Sequence, residues 1–105
     1  MSQQVRFAPE ASAELEDATR WYEQRHAGLG LAFLAAVDVA VGFVARTPRA
    51  GAPLGGVSED LEVRRVPVSR FPYHLVYLIT EGQIDVLAVA HDRRRPAYWS
   101  GRVDL

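Results

Sequence analysis

The segment His91-Asp92-Arg93-Arg94-Arg95-Pro96-Ala97-Tyr98-Trp99 gathers more chemistry-bearing side chains than any other stretch of the chain. Consecutive arginines offer forked donors that match phosphate or carboxylate oxygens, and the two aromatics can stack on bases or fill a partner's pocket. A plainer reading competes: a solvated charge run followed by a Trp that covers the edge of the core. Arg64-Arg65 with Arg70-Phe71-Pro72-Tyr73 forms a second cluster. If the strands carrying them are neighbours, Arg64 or Arg65, Arg70 and the Arg93–Arg95 run can converge on one face. In the plainer alternative, these arginines pair with the acids of the first helix. His91 and Tyr98 are the candidate proton-transfer groups of this region. Histidine titrates near neutrality, whereas tyrosine does so only when strongly shifted. A lone His at a strand end is more often structural.

Other chemistries lack their residues. There is no Cys, hence no disulfide framework and no thiolate metal site. The three His show no HxxxH or HExxH spacing, and neither a metal nor a cofactor is expected. His26 falls at the end of the first helix, where a dipole contact accounts for it. His74 alternates with core residues and is expected to be buried or paired. GxGxxG, P-loop and GxSxG motifs are absent. Net charge is −1, but residues 1–60 carry five Arg and eight acids, and residues 61–105 seven Arg and five acids. The basic side chains are all Arg, with no Lys, so strong phosphate-binding forks are available but no amine base.

The elements that must position these groups follow from periodicity. The 105 residues suggest one domain over 1–105. Val5 to Ala8 reads as a first strand. Pro9 opens a helix, with acids crowding its first turns and Leu15, Ala18 and Tyr22 on one face. Trp21-Tyr22 reads as core packing. Gly28 ends that helix, and a second follows with Leu34, Val37, Val41 and Val44 as its apolar stripe, up to Arg46-Thr47-Pro48. So short a link makes an antiparallel helical hairpin. The apolar run Leu29 to Ala45 reads as too short and too interrupted to span a membrane. Residues 47–60, rich in Gly and Pro, read as a loop. Leu61 to Val68 reads as a strand whose alternation slips. The slip suggests a bulge near Arg64-Arg65, and Pro67 suggests an edge. Tyr73 to Ile79 and Ile84 to Ala90 read as a hairpin of strands apolar on both faces, hence central. The expected fold is α+β, β-α-α-β-β-β, a helical hairpin on a mainly antiparallel four-stranded sheet. The N-terminus shows no signal-peptide pattern, so a cytoplasmic protein is expected.

The ordered set Phe7-Ala8-Pro9-Glu10-Ala11, Trp21-Tyr22, Thr47-Pro48-Arg49-Ala50-Gly51, Arg65-Val66-Pro67-Val68, Arg70-Phe71-Pro72-Tyr73, Val76-Tyr77 and His91-Asp92-Arg93-Arg94-Arg95-Pro96-Ala97-Tyr98-Trp99 resembles the RelE/ParE superfamily of bacterial toxins, in its ParE-like, plasmid-stabilisation branch. The resemblance implies the same β-α-α-β-β-β fold and a toxin neutralised by a cognate antitoxin, as a hetero-oligomer. ParE-like members poison DNA gyrase, which would make Arg93, Arg94, Arg95, Tyr98 and Trp99 the target-binding residues. RelE-like members cut mRNA on the ribosome, which would make Arg65, Arg70, His91, Arg93 and Tyr98 a ribonuclease site. The absence of Lys leaves part of the ribonuclease pattern unfilled and favours gyrase. A third reading is an inactive module that only binds antitoxin. The resemblance also implies that an antitoxin lays an amphipathic segment beside the helical hairpin, with Leu15, Tyr22, Phe33 and Val37 as the expected contacts.

Overall fold

A computed structural model describes residues 3–55 and 57–103. Strand β1 (Gln4–Phe7) leads into helices α1 (Pro9–Arg25) and α2 (Leu29–Arg46). After a short 3-10 turn at Pro48–Ala50 come β2 (Ala52–Pro53), β3 (Glu62–Val68), β4 (Tyr73–Thr80) and β5 (Gln83–His91), and a second 3-10 turn at Ser100–Arg102. The sheet is five-stranded in the order β1-β5-β4-β3-β2, parallel between β1 and β5 and antiparallel elsewhere. The α+β class and element order thus follow expectation, but the strand count does not. The extra strand is the two-residue β2, inside the stretch expected to be loop, pairing Ala52 with Arg65 and Pro53 with Arg64. Two residues carry too little periodicity to announce a strand.

The helices close up at Gly28, whose φ of +89° is the left-handed conformation glycine adopts without cost. Glu23 of α1 accepts hydrogen bonds from the Gly28 and Gly30 N–H groups at 3.0 Å, placing an acid at the N-terminus of α2. Phe33, Val37, Ala40 and Val44 of α2 are buried against the inner face of the sheet. The buried stripe is thus rotated from the expected one: Leu34 is exposed and Val41 half-buried. By length and apolarity alone α2 would suffice to cross a membrane, so the expectation that this run is too short and interrupted does not hold. Trp21, read as core, is 49% exposed, while Tyr22 packs on Phe33 and Phe71.

The sheet carries a core on each face. Val66, Val68, Leu75, Tyr77, Ile84, Val86 and Val89 join the helices on the inner face. Val63, Val76, Leu78, Leu87, Ala88, Ala90 and Trp99 form a second cluster on the outer face, with Leu54, Val57, Leu61 and Val103 packed against it. Two cores explain the slipped alternation of β3 without a bulge there. The β3–β4 register runs unbroken from Glu62↔Ile79 to Val68↔Tyr73. Val63 points to the outer core, while Val66 and Val68 point to the inner one. The irregularity lies instead in β5: Val76 pairs with Ala88 and Tyr77 with Val86, so Leu87 is the extra residue.

Candidate target-binding site

On the outer face, the segment after β5 turns back across the sheet and is pinned by Trp99, which is only 4% exposed. Between this segment and the strands lies a concavity of about 210 Å³, lined by Arg65, His74, Asp92, Arg94, Arg95 and Tyr98 among others. Each reaches it by a separate route. Arg65 and His74 are outer-face positions of β3 and β4, since Arg65 pairs with Val76 and His74 pairs with Pro67. Asp92 follows β5 directly, its N–H donating to the Pro72 carbonyl at 2.8 Å. Arg94 lies over the Tyr98 ring, 4.0 Å from its centroid. Arg65 and Arg95 form no ion pair among the described residues. His74 Nδ1 donates to Asp92 Oδ1 at 2.9 Å. The result is a cation-rich recess holding one carboxylate, and that carboxylate is engaged by His74.

The segment is locked from behind by a group the sequence reading did not single out. Strand β1 stops pairing at Phe7↔Val86, and the Ala8 N–H takes the Val86 carbonyl. Beyond that point β5 has backbone groups facing no strand. Glu14 of α1 and Arg102 supply the missing partners: Glu14 Oε1 accepts from the Val89 N–H at 3.0 Å, and Arg102 Nη1 donates to the Leu87 carbonyl at 3.0 Å. The two side chains pair with each other at 2.8 and 3.1 Å, and the Tyr98 hydroxyl donates to Glu14 at 2.7 Å. Burial, and then this bond to Glu14, drive the Tyr98 phenol well above its ordinary value. Tyr98 therefore stays protonated at neutral pH. A signal for Glu14 existed: it falls between Ala11 and Ala18, both buried, so an acid occupies a core-facing position of α1.

A second recess, about 590 Å³, opens on the inner side between α1 and the ends of β4 and β5, lined by Trp21, Tyr22, Tyr73, His91 and Arg94. His91 belongs here, with its Nδ1 accepting from the Arg93 N–H at 3.0 Å and its ring 5.1 Å from that of Tyr73. The expected residues are therefore only partly assembled. Arg65, Arg94, Arg95 and Tyr98 share the outer recess; His91 lines the inner one; Arg70, in the β3–β4 turn with φ +73°, and Arg93 line neither. Arg64 is on the inner side, tied to Glu62 at 3.2 Å and to the Gly51 carbonyl at 2.8 Å. Among the described residues none of Arg64, Arg65 and Arg70 pairs with a helix-one acid, against the plainer alternative; Glu14 pairs with Arg102 and Asp17 with Arg20. Trp99 is an anchor of the outer core rather than a surface. Phe33 and Val37 are buried beneath α2, 0% and 3% exposed, whereas Leu15 and Tyr22 remain half-buried. Leu15 opens into shallow apolar grooves with Leu31 and Leu34. No cluster of three or more acids and His able to hold a metal occurs among the described residues.

A helical hairpin on one face of a mixed sheet, with a C-terminal arginine segment folded over the other, defines the class: a small α+β domain with a cationic recess on the outer face of its sheet. The family model of the ParE toxin of type II toxin–antitoxin systems, parDE, matches residues 5–96. The chain belongs to this ParE toxin family, as a toxin of a type II toxin–antitoxin pair. Its fold is similar to a solved structure described as the chromosomal ParDE TA system from P. aeruginosa. The TM-score is 0.68 at 17% identity, over 86% of this chain and 96% of that one. No curated protein matches the chain.

Proposed function

We propose that this toxin inhibits DNA gyrase through its outer recess, is neutralised by a cognate antitoxin, and acts in the cytoplasm. The observation that carries the target site is the gathering of Arg65, Arg94 and Arg95 in one recess whose single acid among the described residues, Asp92, is engaged by His74. Like charges held together are costly in the unbound protein and favour an acidic or phosphate-bearing partner. Trp99 and the Glu14–Tyr98–Arg102 network preorganise the segment, so little ordering cost remains at binding. Arg93 stands exposed at the head of the same turn and extends the contact surface. The antitoxin docks an amphipathic segment in the groove between the helices at Leu15, Leu31 and Leu34, forming a hetero-oligomer.

A second reading is mRNA cleavage, and one observation favours it. A His–carboxylate pair beside several arginines is a general base next to phosphate ligands. Here the base would be His74, not His91, whose Nδ1 is occupied and which faces the other recess. Tyr98 gives its one hydroxyl proton to Glu14, so it would contribute to that site its ring beneath Arg94 rather than a proton.

Labelled thymidine and labelled methionine incorporation, followed in parallel after induction without antitoxin, separate the readings. An early fall in thymidine alone is expected. An early fall in methionine instead transfers the function to His74, Asp92, Arg65, Arg94 and Arg95 as a ribonuclease. No fall in either leaves an antitoxin-binding module and refutes both.

A further inference from the structure

Helix α2 is apolar on both sides, yet only one side is covered. Opposite the buried Phe33, Val37, Ala40 and Val44, at 100° per residue, lie Leu31, Ala35, Asp38, Val39, Gly42 and Arg46. Leu31 is 72% and Val39 70% exposed, and Leu34 and Phe43 at the flanks are 38% and 39% exposed. Single exposed apolar side chains need no explanation, but a contiguous band of them marks an interaction surface.

Charge indicates what covers the C-terminal half of this face. Asp38 and Arg46 are its only ionised side chains between Ala35 and Arg46, and neither forms an ion pair among the described residues. They stand four residues to either side of Gly42. The Arg46 side chain already reaches back over it, with Nη1 3.3 Å from where a Cβ on Gly42 would be. If a second copy lies antiparallel across a two-fold axis at Gly42, Asp38 of each copy meets Arg46 of the other. Each Arg46 then turns from its own Gly42 to the other copy's Asp38, which uncovers Gly42 for backbone approach, while Val39 and Phe43 pack alongside. Such a face is self-complementary, as an isologous interface must be. A parallel pairing in register would set Asp38 against Asp38 and Arg46 against Arg46.

We infer that the chain self-associates through the Ala35–Arg46 face of α2, as an antiparallel two-fold pair closed by reciprocal Asp38–Arg46 contacts. The contact runs about 18 Å along the helix and buries less than the roughly 800 Å² per partner of a standard interface. A contact this short is expected to make a weak dimer, so association is followed over micromolar concentrations. This inference is independent of the gyrase proposal, because the face is on the opposite side of the molecule from the arginine recess.

Sedimentation velocity on the purified chain, from about 1 to 200 µM, tests it together with Asp38→Arg, Arg46→Asp and the double exchange. Both substituted positions are exposed, and circular dichroism checks the fold of all three variants. The expected result is a monomer–dimer equilibrium weakened about tenfold or more by each single exchange and restored by the double. A monomer at every concentration overturns the inference. So does a dimer indifferent to the exchanges, or a double exchange as weak as the singles. A monomer whose Val39 and Phe43 become protected only when antitoxin is added identifies an antitoxin helix as the occupant and overturns it as well.

Discussion

On the inner face of the sheet, Phe33, Leu75, Tyr77 and Ile84 are completely buried beneath two long helices. On the outer face, a second apolar core lies beneath Leu54, Val57 and Leu61 and the segment after β5, with Trp99 as its largest member. Helices satisfy their own backbone groups, so the inner face needs only apolar packing. The irregular outer cover has no such ladder, and side chains do the work instead. Glu14 and Arg102 take the place of a strand along β5, and His74 and Asp92 hold the turn above it. The covering that requires side-chain bonds also presents the arginines. The proposed recognition surface thus lies where the backbone is least regular, on a platform of two buried central strands.

The comparison breaks most readily at the two largest anchors. Phe33→Ala is expected to cost about 4 kcal/mol and Trp99→Ala about 3 kcal/mol, measured by chemical denaturation. A Trp99 cost below about 1 kcal/mol would mean that the outer cover is a loose lid rather than a second core.

The two faces were also unequally legible. The helices follow from a period of 3.6, with the stripe of α2 rotated, and β4 and β5 follow from short runs apolar on both faces. The outer core was harder to see. Val63 and the pair Val66 and Val68 belong to different cores, which in one dimension looks like a bulge at Arg64-Arg65. The real irregularity, at Leu87, was hidden because β5 is apolar on both faces and an inserted residue changes no pattern. For the site, the arginine run and Tyr98 stood out by type. Glu14 and Arg102, 88 residues apart, meet only in three dimensions. The pairing of His74 with Asp92 fulfils an expectation of burial or pairing, but its partner could not be named from spacing.

Glu14→Ala sharpens the comparison next. It removes the acceptor of Tyr98, Arg102 and the Val89 N–H at once. Because the Glu14 and Arg102 side chains are 21% and 16% exposed, solvent moderates the loss to about 2 kcal/mol, with Glu14→Gln costing about 1 kcal/mol. Hydrogen exchange should rise at Val89 while the α2 amides stay protected. A uniform rise across both faces would show that the network serves the whole fold equally.

A smaller effect separates the sheet's far edge from both cores. Hydrogen bonds from Arg49, and secondarily from Arg64, hold the Glu62 carboxyl below its ordinary 4.5. A lowered folded-state value stabilises the protein above the unfolded value and is lost as pH falls through the folded one. Stability should therefore decline more steeply below pH 4.5 in the wild type than in Glu62→Gln, seen as a shallower fall of Tm with pH in the variant. Equal slopes would remove Glu62 from the account.

Replacing Arg93, Arg94 and Arg95 together with Ala tests most directly that the outer face is the toxic one. The side chains are exposed, so stability should change by less than about 0.5 kcal/mol. Growth arrest on induction should disappear, while antitoxin binding at the helical grooves persists. Full toxicity from a folded triple variant would contradict the account and move the target-binding surface elsewhere on the molecule.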